Sequence, residues 1–209
     1  MKKTSMNLPN TLSLIRVLLV PAFVATLIFM REIKWWGIIV PAIVYALTAL
    51  TDMLDGKIAR KYNLITDFGK FIDPLADKFM VLASSISILV WMILGDEVLE
   101  ALIFMWVVLL ILLRELGVTS LRLVVAGKSG IVVAASFLGK MKTVSQMVGT
   151  VLIIFEPIFS YFAASSSFAA FMWEYHVVAY TVMAIMAFTT VFSGIDYMRA
   201  LLPHVDTNK

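Results

Sequence analysis

The run "LEALIFMWVVLLILLRELGVTSLRLVV", Leu99–Val125, decides the fold. A bilayer-spanning helix needs roughly 20 mostly apolar residues, and this run supplies them, with Arg114 and Glu115 set inside it. Five more stretches qualify: about Leu12–Met30, Trp35–Leu54, Pro74–Leu94, Met141–Ala164 and Trp173–Leu202. Composition agrees. The 209 residues are 61% hydrophobic and 15% charged, where soluble domains carry about 25% charge, and mean hydropathy is +0.96. The expected fold class is therefore an all-α integral membrane protein, a six-helix bundle forming a single membrane domain over 1–209. There is no internal repeat, linker or second domain, and Ser165–Ser167 reads as a short polar turn. The first run is long and lacks a small-residue cleavage site before Arg31 and Lys34, so it reads as a retained span rather than a signal peptide.

Charge sets the expected topology. Lys57, Arg60, Lys61 and Lys70 fall between spans two and three; Arg122, Lys128, Lys140 and Lys142 fall around the connection of spans four and five. Gly95–Glu100 is acidic, and Ser165–Glu174 has no Lys or Arg. Cytoplasmic loops carry the basic excess, so both termini are expected in the cytoplasm. Arg31 and Lys34 are the one misfit. Trp35, Trp36, Trp91 and Trp173 sit near span ends, where interfacial aromatics concentrate. The net charge of +3 carries no dense basic stripe for nucleic acid, and the absence of Cys excludes disulfides, thiolate chemistry and iron–sulfur ligation.

The chemistry concentrates in "TDMLDGKIARKYNLITDFGKFIDPLADKF", Thr51–Phe79. Asp52 and Asp55 are spaced i,i+3, and Asp73 and Asp77 i,i+4, so each pair shares a helix face. Pro74 suits a first helical turn. Four carboxylates at a membrane edge repel one another and require protons or a cation. Oxygen-only ligands with no nearby His favour Mg²⁺ or Mn²⁺ over zinc, and four carboxylates suit two ions, an arrangement that serves phosphoryl chemistry. Gly56 and Gly69 let a ligand approach closely, and Arg60 can pair a phosphate. Asp67 reads as a solvated loop charge. An ordinary charged loop is the plain alternative.

Taken together, Asp52-x2-Asp55-Gly56-x2-Ala59-Arg60-x8-Gly69-x3-Asp73-x3-Asp77 resembles the complete signature of the CDP-alcohol phosphotransferase family. The resemblance implies six spans, a homodimer and a two-metal site at the cytoplasmic face of the inner membrane. It also implies transfer of a phosphoryl-linked group from a CDP-linked donor to an acceptor hydroxyl, releasing CMP. By the same resemblance Asp52, Asp55 and Asp73 hold metal, while Asp77 completes the site and is the catalytic base. Gly56, Ala59, Arg60 and Gly69 would cradle the CDP moiety.

Two further stretches bear on the acceptor. "PNTLSLIR", Pro9–Arg16, resembles the opening of the branch that makes phosphatidylglycerophosphate, with Ser13 where Thr is usual; Asn10 and Thr11 become candidate CDP contacts. The alternative is that Pro9 simply starts a helix and Arg16 snorkels to the interface. "LLRELGVTSLRLVVAGKSGIVVAASFLGKMKTVSQM", Leu112–Met147, resembles the same branch. An intramembrane Arg marks a functional site by default, and Glu115 is one candidate partner for Arg114. Arg122 lies two turns on and can share its face. Arg114, Arg122, Lys140 and Lys142 are thus candidate acceptor-phosphate ligands, although the positive-inside rule alone accounts for some basic residues here. Ser193, Asp196, Tyr197 and Arg199 can approach the site from the last span. The expected substrates are CDP-diacylglycerol and glycerol 3-phosphate, with the donor's acyl tails in a lipid-facing groove. Cardiolipin, phosphatidylinositol-phosphate or phosphatidylserine synthesis is the nearest alternative, and a cation-coupled transporter a distant one.

Overall fold

The computed structural model describes residues 8–62, 67–129 and 136–204, with the side chains at 8, 9, 53, 55–61, 67, 68, 70, 71, 73, 74, 128, 129 and 204 outside that description. The described residues form α1 (Leu8–Phe29), α2 (Trp36–Tyr62), α3 (Asp67–Leu94), α4 (Val98–Ser129), α5 (Phe137–Phe155), α6 (Ile158–Phe162), α7 (Ser167–Glu174) and α8 (Val177–Leu201), then one 3₁₀ turn at Leu202–His204. None of them lies in a strand. Five segments are long and apolar enough to cross a membrane: Asn10–Phe29, Leu75–Leu94, Val98–Gly127, Phe137–Phe162 and Val177–Leu201. The apolar part of α2, Trp36–Asp52, is shorter. Large apolar side chains such as Leu18, Leu113, Leu123 and Phe188 stay exposed, as a lipid-facing surface requires.

Several expected boundaries move. The segment after Asp52 is no loop: α2 continues to Tyr62, and α3 already starts at Asp67. Pro74 therefore lies inside α3, not at its first turn, and Asp67 is a helix residue. Helix propagation needs backbone hydrogen bonds rather than apolar side chains, so hydropathy underestimates both helices. Similarly, α5 starts at Phe137, where Ser136 accepts a hydrogen bond from the Gly139 N–H. The last expected span divides at His176, whose backbone is left-handed (φ 43°), leaving Trp173 in the separate α7. Trp91 lies near the end of α3, as expected, with its side chain buried in the core.

The helices pack as α1 against α2 and α3, α4 against α3 and α8, and α5 against α2 and α8. Phe23, Leu27, Ile88, Met92, Phe104, Ile111, Ile153, Ile154, Met183 and Met186 fill the shared core. Gly149 sets the closeness of α5 and α8: a Cβ there would stand 2.7 Å from Val182 and 2.9 Å from the Met186 Sδ. At the end of the bundle remote from Asp52, Glu156 accepts from the Ala179 N–H at 2.9 Å and Glu100 from the Tyr180 hydroxyl at 2.7 Å. These two bonds tie α4, α5 and α8 together and leave the opposite end free to open.

Candidate active site

That open end holds a cavity of about 640 Å³ between α2, α3, α4, α5 and α8. Asp52 and Asp77 line it. They come from different helices, yet both pair with the same Arg16 nitrogen: Nη1 is 2.8 Å from Asp52 and also bonds Asp77. Arg16 is fully buried, so the snorkelling alternative is overturned; the two carboxylates hold its guanidinium inside the bundle. A buried guanidinium needs such partners, since an unpaired charge there is costly.

The arrangement bears on metal binding. Two aspartates from two helices already converge on one positive charge, and the donors are all oxygen. Unbroken α2 and α3 backbones carry Asp55 and Asp73 at the i,i+3 and i,i+4 spacings; their side chains, like those of Gly56, Ala59 and Arg60, lie outside the described residues. Among the described residues no group of three metal-ligating side chains occurs. The donor set nonetheless fits a hard divalent ion. Gly69 is buried on α3, and Asn10 is buried and Thr11 half-buried on α1, outside the residues that line the cavity.

A cationic cluster lines the cavity as well. Glu115 accepts from Lys142 at 2.7 Å, Arg114 at 2.8 Å and Lys78 at 3.3 Å. Three cations against one carboxylate leave this layer at +2 and bind α3, α4 and α5 into one unit. Arg114 also donates to Ser193 at 2.5 Å. Lys78 further donates to Thr119 at 2.9 Å. One layer toward the mouth, Arg122 donates to the Tyr197 hydroxyl at 2.7 Å, which accepts the Ser136 N–H as well at 3.1 Å. The Tyr197 ring lies 4.6 Å from the Arg122 guanidinium and 5.2 Å from that of Arg114, a cation–π platform under both. Gly139 makes this possible: a Cβ would fall 2.9 Å from the Tyr197 ring. The Nε donors of Arg114 and Arg122 are buried without a partner among the described residues.

Arg114, Arg122, Lys140 and Lys142 thus all line one cavity with Asp52 and Asp77. Lys140 is exposed at its rim, whereas Lys142 is buried against Glu115. Ser193 and Tyr197 reach the site through the arginines. The sequence reading missed Lys78, although it directly follows Asp77. It also missed Tyr45 and Gln146, which line the inner part of the cavity; Gln146 lies one turn after Lys142 on α5, the spacing that could have revealed it.

A family model described as CDP-alcohol phosphatidyltransferase matches residues 6–192. The chain is 42% identical over 153 residues to the CDP-diacylglycerol–glycerol-3-phosphate 3-phosphatidyltransferase of Bacillus subtilis, covering 68% of this chain and 73% of that one. It is 36% identical over 196 residues to a probable phosphatidylglycerophosphate synthase of Mycobacterium tuberculosis, covering 94% and 82%. It is also 36% identical over 156 residues to the Escherichia coli CDP-diacylglycerol–glycerol-3-phosphate 3-phosphatidyltransferase, covering 72% and 78%. An Arg16-bridged aspartate pair carried on the signature helices, with that match across most of its length, makes this chain a member of the CDP-alcohol phosphatidyltransferase family.

Proposed function

We propose that the protein transfers the phosphatidyl group of CDP-diacylglycerol to the 1-hydroxyl of sn-glycerol 3-phosphate, giving phosphatidylglycerophosphate and CMP. The observation that carries this reading is a single cavity lined by Asp52 and Asp77 together with Arg114, Arg122 and Lys140. An acceptor that bears its own phosphate needs such cations; a neutral amino alcohol does not. The unmet Arg114 and Arg122 donors are suited to phosphate oxygens.

In the mechanism, Asp77 takes the proton of the acceptor hydroxyl. The new bond forms between that oxygen and the phosphorus nearer the diacylglycerol, the bridging P–O bond breaks, and CMP leaves with its electrons. Arg114, Arg122 and Lys140 hold the acceptor phosphate so that its hydroxyl faces Asp77, which supplies positioning. Mg²⁺ or Mn²⁺ held by Asp52, Asp55, Asp73 and Asp77 would neutralise charge developing on the phosphoryl oxygens. An apolar groove of about 560 Å³ between α1 and α3, lined by Val20, Val24, Ile28, Phe79, Ala83 and Val90, suits a donor acyl tail. It begins two residues from Asp77 and one turn from Arg16.

The same reading counts α2 as a sixth span and puts both termini and the cavity mouth in the cytoplasm, supported by the basic residues around Gly56–Lys70 and Arg122–Lys142. It further takes the inner membrane as the location and a homodimer as the assembly, as the family resemblance implies. The test is CMP release from CDP-diacylglycerol by the purified protein with glycerol 3-phosphate, phosphatidylglycerol, inositol phosphate or serine as acceptor, with and without EDTA. Release is expected only with glycerol 3-phosphate, and chelation abolishes it. No release with that acceptor would sink the assignment; release with another would transfer it to that branch.

A further inference from the structure

Gln146 is a polar side chain that neither the fold nor the mechanism explains. It is 3% exposed, and neither its Nε2 nor its Oε1 has a hydrogen-bond partner among the described residues. Buried amides are almost always satisfied, and leaving one unmet costs more than a hydrogen bond gains. Its α5 neighbour at i−4 is spoken for: Lys142 is held by Glu115. Gln146 itself lines the cavity.

The geometry points to Gln146 as the residue that recognises the 2-hydroxyl of the phosphorylated acceptor. This rests on the phosphatidyl-transfer reading above. Gln146 lies one helical turn, roughly 6 Å along α5, inward of the layer in which Lys142, Glu115 and Arg114 meet. That is comparable to the reach of a three-carbon phosphate ester. With the phosphate on the cations and the 1-hydroxyl toward Asp77, the middle hydroxyl is the group left for an amide. A hydroxyl both donates and accepts, so it can meet either end of the Gln146 side chain. The donor phospholipid has no free hydroxyl on its glycerol, so the two substrates are separable.

The experiment compares glycerol 3-phosphate with 3-hydroxypropyl phosphate, which lacks only the 2-hydroxyl, as acceptors for the full chain in Mg²⁺-containing lipid micelles. The natural chain is expected to prefer glycerol 3-phosphate by about 10- to 100-fold in kcat/KM, the range for leaving a buried polar group unmet. Gln146→Leu should bring that ratio below about twofold by losing only glycerol 3-phosphate turnover, with the KM for CDP-diacylglycerol unchanged. Its melting temperature should not fall, because an unmet polar group is removed. Gln146→Met is the second variant should Leu fold poorly. A preference that survives in the variant that folds, a natural chain without preference, or a change confined to the donor's KM overturns the inference. No CMP release from the natural chain with glycerol 3-phosphate overturns instead the function on which it rests.

Discussion

Replacing Glu115 by Gln keeps the shape of the side chain and removes the only carboxylate that Lys142 contacts among the described residues. Lys142 is 2% exposed and 2.7 Å from Glu115, with Arg114 at 2.8 Å and Lys78 at 3.3 Å on the same group. The layer changes from +2 to +3, and its most buried cation loses its partner. Removing one member of a buried ion pair costs about 3–5 kcal/mol. Arg114 retains Ser193 and Lys78 retains Thr119, so most of that cost falls on Lys142. Glu115→Gln should accordingly lose about 3–5 kcal/mol in reversible unfolding in mixed micelles. Glu115→Gln with Lys142→Met should regain at least about 2 kcal/mol of it, within the coupling range for residues in one network. A single variant within about 0.5 kcal/mol of the natural chain, or a double variant no more stable than the single, would refute the idea that this carboxylate holds α3, α4 and α5 together.

Asp77→Asn is expected to lower CMP release by about 10²–10⁴-fold, the span of general base catalysis, with thermal stability little changed because Arg16 retains Asp52; activity above a tenth of normal would remove Asp77 as the base. Gly139→Ala should raise the KM for glycerol 3-phosphate about tenfold, the lower end for losing a hydrogen bond to a charged group, because its Cβ displaces the Tyr197 ring from under Arg122. The KM for CDP-diacylglycerol serves as the unaffected control. Burial pushes the Glu97 carboxyl from its ordinary 4.5 up to about 7; His176 and Arg31 oppose the shift, and Glu156 and Glu100 add to it. Between those values the native chain binds more protons than the unfolded one, so Glu97 makes stability fall as pH rises through that window. Glu97→Gln should flatten the melting temperature against pH between about 4.5 and 7; an unchanged slope would show that Glu97 does not set it.

Apolar runs made the membrane helices legible: the expected Leu99–Val125 lies within α4. Hydropathy could not show where helices run on into charged sequence, as α2 does to Tyr62, nor the break at His176, which is a backbone event. The aspartate spacing was legible because i,i+3 and i,i+4 are local. Arg16 was not, since its partners sit on α2 and α3 and a lone Arg near a span start reads equally as an interfacial anchor. Among the cations of α4 and α5, the sequence could name Arg114, Arg122, Lys140 and Lys142 and set Lys142 nearest to the plain positive-inside reading, but it could not show what holds each of them. Only the position of Glu115 reveals that Lys142 is an inner strut while Lys140 stays exposed at the rim. Gln146 carried no charge to draw notice, and its isolation is a property of what surrounds it.

Asp77 and Lys78 are consecutive, about 100° apart around α3, and both line the cavity, one paired with Arg16 and the other with Glu115. Any roll or slide of α3 carries the proposed proton acceptor and a strut of the cationic cluster by the same amount, so the two cannot be tuned separately through this helix. Redesign of acceptor preference in this chain would have to leave α3 as a fixed rail and work on α4, α5 and α8. A substitution that merely rotates α3 would misalign both substrates at once and leave no intermediate with half of its function intact.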